Sequence, residues 1–173
     1  MKNLKSPPLI QLSDFDGIFE KYNAAVYEIF KSDFVINKPV FEGKKLRLKS
    51  HPCIDNKEYT YYHFTHSGNI ENERIPDLRR MERIGFPKPM INCSKSNKLK
   101  VWRNKRGNKY RILIFHEEEK YLVVLEDRKN FIIPWTAYYV EHNNRIEKLR
   151  KEYKNRNRLK KRFLFSFNTW SMR

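Results

Sequence analysis

Cysteine, glycine and acidic residues are scarce in this sequence, and long apolar runs are absent. Its 173 residues include two cysteines and five glycines, and 20 acidic residues stand against 37 lysines and arginines. Cys53 and Cys93 have no Cys-x-x-Cys spacing and no neighbouring histidine pair, which excludes a zinc finger and a disulfide scaffold. We therefore expect two reduced thiols, no bound metal and no cofactor.

Targeting segments are also missing from the pattern. No run of apolar residues is long enough to span a bilayer, which takes about 20 residues. The segment Met1–Lys5 leads into Ser6-Pro7-Pro8 rather than into the apolar core of a signal peptide. We therefore expect a cytoplasmic protein with no membrane partner.

Positive charge is the feature that is present in excess. The formal net charge is +17 and the sequence pI is about 9.9. Such a charge attracts polyanions and makes binding salt-dependent, so nucleic acid is the first partner to consider. Basic proteins can also bind anionic membrane surfaces, or carry charge for solubility alone. The mixed-sign outer face of the first predicted helix disfavours the membrane interpretation.

Local patterns predict the secondary structure before residue 99. Ser13 to Asp16 resembles a helix cap, and apolar residues at three-and-four spacing predict an amphipathic helix from there to Phe30. Val40–Lys49 predicts a short edge strand or hairpin. The residues Tyr59–Phe64 are typical of a strand, and Pro76 followed by Asp77–Ile84 predicts a short helix.

Residues 99–140 contain four runs rich in β-branched and aromatic residues, separated by three short turns. Short turns force neighbouring strands to pair, so a four-stranded antiparallel meander is expected. Pro134 in the last run cannot donate a ladder hydrogen bond and indicates an edge strand or a bulge before Trp135 and Thr136. A helix from Asn143 or Asn144 to Tyr153 and a basic tail follow. The predicted fold is α+β, with helices packed at the N-terminal side of this sheet.

Two groups of residues could act on a phosphate. In the predicted strand, period two puts Tyr59, Tyr61 and His63 on one face, with His66 in the loop that follows. Arg79 and Arg83 are four apart on the predicted helix and could clamp a phosphate, with Arg80 to one side. Metal-free RNA cleavage needs a proton-transfer group and cations that stabilise the transition state, and these residues supply both.

Several segments resemble phage-encoded and toxin-associated domains of the barnase, EndoU, colicin and RelE ribonuclease superfamily. The resemblance covers about residues 60–155 and lies in five stretches: Tyr62-His63-Phe64, Ile75–Ile84, Lys100-Val101-Trp102, Tyr121–Leu125 and Trp135-Thr136-Ala137-Tyr138. It implies helices on a four-stranded antiparallel sheet, and metal-independent cleavage of RNA, often tRNA, through a 2′,3′-cyclic phosphate. It also implies an acidic immunity or antitoxin protein as a partner.

The resemblance completes the predicted site. Thr136 would bind a non-bridging phosphate oxygen, and Tyr138, two residues further along the strand, would stack on the RNA or donate a proton. His63 would be the acid or base and Arg79 and Arg83 the phosphate clamp. Further cations would bind the RNA around this site, and they are Arg80, Arg103, Lys109, Lys160, Lys161 and Arg162.

The predicted organisation has three parts: residues 1–50 as an N-terminal helix and weak strand, residues 51–155 as the catalytic domain, and residues 156–173 as a basic aromatic tail. Two other functions remain open. A non-catalytic RNA- or DNA-binding protein would use the same sheet face and tail without proton transfer. An interaction protein would use its charge to bind an acidic partner.

Overall fold

The computed structural model describes residues 4–49, 51–128 and 130–168 of the chain. Side chains are described within these ranges except for residues 106 and 157–168. Of the helices in this part of the chain, none combines the length and apolar character needed to cross a membrane.

The N-terminal segment forms two helical pieces rather than one. A 3₁₀ turn spans Leu12–Phe15, and helix α1 spans Phe19–Phe30 and continues as a π-helical segment over Lys31–Ile36. The predicted start at Ser13 is wrong, because Asp16 and Gly17 adopt left-handed conformations that break the helix there. The apolar stripe was predicted correctly, since Tyr22, Val26 and Phe30 are fully buried.

A hairpin follows, as the pattern of Val40–Lys49 predicted. Strands β1 (Val40–Phe41) and β2 (Lys44–Leu46) are antiparallel and are joined by a turn in which Gly43 has a φ of 81°. Strand β2 then pairs in parallel with the last strand of the sheet, with Lys45 opposite Phe131 and Leu46 opposite Ile132. The hairpin therefore extends the sheet beyond the meander.

The four strands of residues 99–140 pair with their chain neighbours in antiparallel register. They are β5 (Leu99–Arg106), β6 (Lys109–His116), β7 (Tyr121–Asp127) and β8 (Phe131–Tyr139). The register shifts opposite Pro134, where Leu125 faces Pro134 and Val124 faces Thr136. Trp135 is the extra residue of a bulge, which is one of the two arrangements that Pro134 predicted.

The predicted fold class is nevertheless wrong, because the sheet is not a four-stranded antiparallel meander. It has six strands in the order β1-β2-β8-β7-β6-β5, and the β2–β8 pair makes it mixed. A two-stranded sheet of β3 (His66–Ser67) and β4 (Ile75–Pro76) lies apart from it. The correction arises from pairing between distant segments, which the turn signals within residues 99–140 cannot indicate.

Helix α2 (Tyr59–Thr65) replaces the strand predicted for Tyr59–Phe64. The β-forming aromatic residues of this segment are buried on several sides, and Phe64 packs edge-on against Phe30 and Phe34. Tertiary packing against the π-helical end of α1 therefore overrides the local β preference. Helices α3 (Leu78–Met81) and α4 (Pro87–Asn92) follow, and the Asp77 side chain caps α3 by accepting from the Arg80 amide.

The two faces of the six-stranded sheet are covered differently. The inner face packs against α1 to α4 through a large apolar cluster that includes Phe30, Ile84 and Ile112. On the outer face, helix α5 (Asn143–Asn168) covers one part, with Ile146 and Leu149 packed on Trp102 and its neighbours. Helix α5 begins at a predicted cap but runs well past Tyr153. The candidate site lies along β8, where α2 and α3 contact that strand.

Candidate functional site

A cleft of about 180 Å³ opens where α2, the β3–β4 loop, α3 and β8 meet. We call it the His–Arg cleft. Its lining combines two histidines and two arginines with hydroxyl-bearing and aromatic side chains, and the lining residues are His63, His66, Ser67, Gly68, Arg74, Arg80, Trp135, Thr136 and Tyr138. Three residues of the sequence-predicted catalytic set, His63, Thr136 and Tyr138, therefore lie together.

Arg80 ties the cleft together. Its Nη1 donates to the backbone oxygen of His63 and to Oγ1 of Thr136, both at 3.2 Å. Its Nε lies 3.3 Å from a carboxylate oxygen of Asp77, and its guanidinium lies 5.4 Å from the ring centre of Tyr138. Burial lowers the pKa of Arg80, while the Asp77 charge opposes that effect. The sequence assigned Arg80 only to RNA binding beside the site.

His63 is held at both ring nitrogens. Nδ1 lies 2.6 Å from Nη1 of Arg74, and because a guanidinium can only donate, Nδ1 accepts. The proton of the neutral ring is therefore on Nε2, which lies 3.3 Å from Oε1 of Glu71. Burial, together with the nearby positive charges of Arg74, Lys49 and Arg80, lowers the pKa of His63 to about 4. His63 is thus a neutral ring at pH 7 whose only lone pair is occupied.

His66 has the opposite arrangement. Its Nδ1 lies 2.9 Å from Oγ1 of Thr65, and that hydroxyl donates its own proton to the backbone oxygen of Tyr61 at 2.8 Å. Nδ1 of His66 therefore carries the proton, and Nε2 carries the lone pair. Burial lowers the pKa of His66, so the ring is neutral at pH 7. Nε2 is therefore the ring nitrogen that is able to accept a proton.

Arg74 reaches the cleft through a tight loop. Gly68, with a φ of 149°, comes so close to this residue that a Cβ there would lie 3.2 Å from the Cα of Arg74. The Tyr62 hydroxyl donates to the Arg74 carbonyl at 3.1 Å and so fixes the far side of the loop. No carboxylate within the described residues forms an ion pair with Arg74, whose Nε is buried without a partner.

Arg79 and Arg83 lie outside the His–Arg cleft. Arg79 forms an ion pair of 2.5 Å with Glu141, and Arg83 pairs with Glu82 and lies 4.7 Å above the ring of Tyr139. These five residues line a separate, shallower pocket. The structure therefore brings His63 together with Arg74 and Arg80 rather than with the two arginines that the spacing singled out.

The cations predicted to extend the RNA-binding surface are scattered. Arg103 pairs with Glu42 at 2.7 Å and with Asp127 at 2.9 Å, and Lys109 lies 3.8 Å from Glu126. Both side chains therefore have acidic neighbours. The remaining three, Lys160, Lys161 and Arg162, lie on α5, but their side chains fall outside the described residues.

Sequence reasoning left out Arg74 and Trp135 and set His66 aside. Arg74 has no periodic partner, and Trp135 was named only as a residue beside the expected bulge and within the resemblance. Trp135 is 38% exposed because the bulge at Pro134 turns it out of the core, so the bulge was the available signal. His116 is buried in β6 and lies outside the cleft.

Within the described residues, no cluster of three His, Cys, Asp or Glu side chains could hold a metal ion. Comparisons with protein-family models, curated proteins and solved structures found no match to this chain. The function must therefore be argued from the cleft itself.

Proposed function

We propose that this protein is a metal-independent endoribonuclease that cleaves RNA at the His–Arg cleft. The observation that carries the proposal is the grouping in one small cleft of a neutral imidazole with an accepting nitrogen, two guanidiniums, a hydroxyl and a phenol. RNA carries its own nucleophile, the 2′-hydroxyl. Cleavage therefore requires proton transfer and stabilisation of charge on the phosphate, for which such groups are suited.

Nε2 of His66 takes the proton of the 2′-hydroxyl, and the resulting oxygen attacks the adjacent phosphorus. The bond from phosphorus to the 5′-oxygen breaks, and the phenol of Tyr138 protonates that leaving oxygen. The products are a 2′,3′-cyclic phosphate and a 5′-hydroxyl, and the proton returns from His66 to Tyr138. The lowered pKa of His66 keeps the base unprotonated at neutral pH, as this role requires.

Arg74 and Arg80 stabilise the negative charge that builds up on the phosphate oxygens. Arg74 has no ion-pair partner among the described carboxylates, and Arg80 already donates to Thr136. Arg80 can therefore donate to a phosphate oxygen in place of Thr136. Thr136 remains hydrogen-bonded to the His63 carbonyl at 3.3 Å. In this scheme His63 keeps Arg74 in place through Nδ1 rather than moving a proton.

The test is incubation of the protein with total RNA in excess chelator, with analysis of the fragment ends. We expect fragments that end in 2′,3′-cyclic phosphate, and a rate lowered about 100-fold by His66→Asn, a typical effect of losing a general base. His142→Asn, an exposed histidine beside the start of α5, serves as the matched control. Cleavage that disappears in chelator would contradict the proposal.

A non-catalytic RNA-binding protein is the second candidate. The observation in its favour is that both ring nitrogens of His63 are engaged, which leaves a single accepting imidazole in the cleft. RNA that stays intact but binds tightly and with a steep salt dependence would support this function and overturn cleavage.

A further inference from the structure

The part of the outer sheet face that no described helix covers carries aromatic rings and cations beside the His–Arg cleft. Phe131 and Ile133 are two residues apart on β8 and so share this face, and the bulge adds Trp135 to the same side. Neither of the first two packs into the apolar cluster under α5. We call the surface formed by Phe131, Ile133 and Trp135 the β8 strip.

Cations border the strip along the neighbouring strand. Lys45 lies opposite Phe131 in the parallel pair, and alternation puts Arg47 on the same face. The guanidinium of Arg47 lies 4.3 Å from the ring centre of Phe131, and Nζ of Lys49 lies 4.1 Å from that of Tyr59. All three cationic side chains are exposed.

A buried carboxylate organises the other side of the strip. Glu126 is 1% exposed and contacts Arg111, Arg128 and Lys109. The Arg111 guanidinium lies 3.8 Å from the ring centre of Trp135. The Trp135 and His63 rings are close to parallel, with their centres 6.0 Å apart. Trp135 therefore belongs to both the strip and the lining of the cleft, and part of its indole surface is open to solvent.

We propose that the β8 strip binds single-stranded RNA running on from the scissile phosphate, with bases stacked along Trp135 and Phe131 and phosphates on Arg47 and Lys49. This inference rests on the proposed function and names its substrate class. Aromatic rings interleaved with cations bind unpaired nucleotides because every base has a stacking face. A duplex hides those faces, so the strip selects RNA in its single-stranded form.

Binding is measured with a single-stranded RNA oligonucleotide that carries 2′-O-methyl groups throughout, which blocks the proposed cleavage, and with the duplex of the same sequence. We expect the single strand to bind more tightly. Trp135→Ala weakens its binding about tenfold, in line with the loss of about 1–3 kcal/mol for one stacked base. Tyr110→Ala is the matched control, because Tyr110 is 45% exposed and lies on the same face of β6 as the inner-face residues Ile112 and Ile114, away from the strip.

The cationic border has its own pair of variants. Arg47→Gln weakens binding and reduces the slope of log affinity against log salt by about one. Lys31→Gln, an exposed lysine on the helical segment that covers the inner face, leaves both unchanged. Arg47 is exposed, so this pair decides the matter even where Trp135→Ala fails to fold. Tryptophan fluorescence quenched by the oligonucleotide in the wild type, and less so in Trp135→Phe, identifies stacking at this ring.

Equal affinity of Trp135→Ala and Tyr110→Ala, or of single strand and duplex, overturns the strip, as does a surface that binds no oligonucleotide at all. The outcomes separate the two proposals. If the wild type cleaves RNA and the strip variants bind it unchanged, the proposal for the β8 strip is contradicted and the proposal of a nuclease stands. Strip-dependent binding of unmodified RNA that is never cleaved removes the nuclease and keeps the strip.

Discussion

Two pairs of arginines come from the same short stretch of chain, yet their surroundings differ. Arg79 and Arg83 are directed to a shallow surface pocket, where Glu141 and Glu82 neutralise them. Arg74 and Arg80 are directed into the His–Arg cleft, where their hydrogen bonds go mainly to an imidazole nitrogen, a backbone oxygen and a hydroxyl. Arg80 also lies 3.3 Å from Asp77, whereas Arg74 has no carboxylate partner among the described residues. Because charges already matched by carboxylates have little left to offer an anion, the pair that contains Arg74 is better suited to the proposed phosphate contact.

The largest expected effect comes from changing each pair of arginines to glutamine and comparing the rates of RNA cleavage. Arg74→Gln with Arg80→Gln should lower the rate of RNA cleavage about 1,000-fold, because donors to the transition state contribute strongly in a sheltered site. Arg79→Gln with Arg83→Gln should leave the rate close to wild type. A larger loss in the surface pair would reverse the assignment. Circular dichroism and thermal unfolding of both double variants serve as the control for folding.

The titrating groups beside the two pairs, His63 in the cleft and Glu141 at the surface, should also change the stability of the protein in different pH ranges. The pKa of His63 is lowered from 6.5 to about 4, mainly by burial. Between these two pH values the imidazole is protonated in the unfolded chain but not in the folded one. Stability from this group is complete above pH 6.5 and is lost as the pH falls towards 4, by about 3 kcal/mol. Urea unfolding at pH 7 and pH 4.5 measures the loss, and His63→Gln should reduce it.

In the surface pair, the titrating group is the carboxylate of Glu141. Arg79 lowers the pKa of Glu141, so that pair stays charged below the ordinary carboxyl pKa of 4.5. Glu141→Gln should therefore leave the stability difference between pH 7 and pH 4.5 unchanged. A difference as large as that caused by His63→Gln would show that the pH dependence does not arise in the cleft.

Thr136 links one cleft arginine to helix α2, and the effect of changing it is smaller. Thr136→Val removes the acceptor of Arg80 and the donor to the His63 carbonyl while it preserves the shape of the side chain. Loss of such a hydrogen bond is worth about 1 kcal/mol, so cleavage should fall about fivefold. Thr136→Ser, which keeps the hydroxyl, should restore most of the rate. Equal rates in the two variants would exclude a role for the hydroxyl.

The smallest effect is expected from Arg79→Gln alone in RNA binding. Its guanidinium is exposed and already paired with Glu141, so removing it should barely change the affinity or its salt dependence. Arg80→Gln, one residue further along the chain, is the comparison and should reduce both. Fluorescence anisotropy with the 2′-O-methyl oligonucleotide measures the two variants under the same conditions. Similar losses would mean that net charge alone governs binding.

Local signals predicted those parts of the fold that depend on neighbours in the chain. The turns between residues 99 and 140, the Val40–Lys49 hairpin and the bulge at Pro134 all follow from residues next to one another. The helix at Tyr59–Thr65 and the parallel β2–β8 pair do not, because packing between distant segments decides them.

The same limit applies to the candidate site. The sequence selected His63, Thr136 and Tyr138, and all three line the cleft. It selected Arg79 and Arg83 by helical spacing, which shows that two side chains share a face but not which carboxylates stand opposite. It preferred His63 to His66 because a strand would hold His63 better, whereas the choice of proton acceptor depends on Arg74 and Thr65, whose contacts the pattern does not contain.

The parallel pairing of β2 with β8 has a consequence for the order of folding. Lys44 contacts the backbone oxygen of Arg128 across 84 residues, whereas the meander strands are joined by short turns. Closing a long loop costs more entropy than closing a short one, so we expect the meander to form early and β2 to dock late. The rim of Lys45 and Arg47 would arrive with it. A chain in which β2 has not yet docked would lack these two cations beside β8, so the surface proposed to bind RNA would be completed only in the last step of folding.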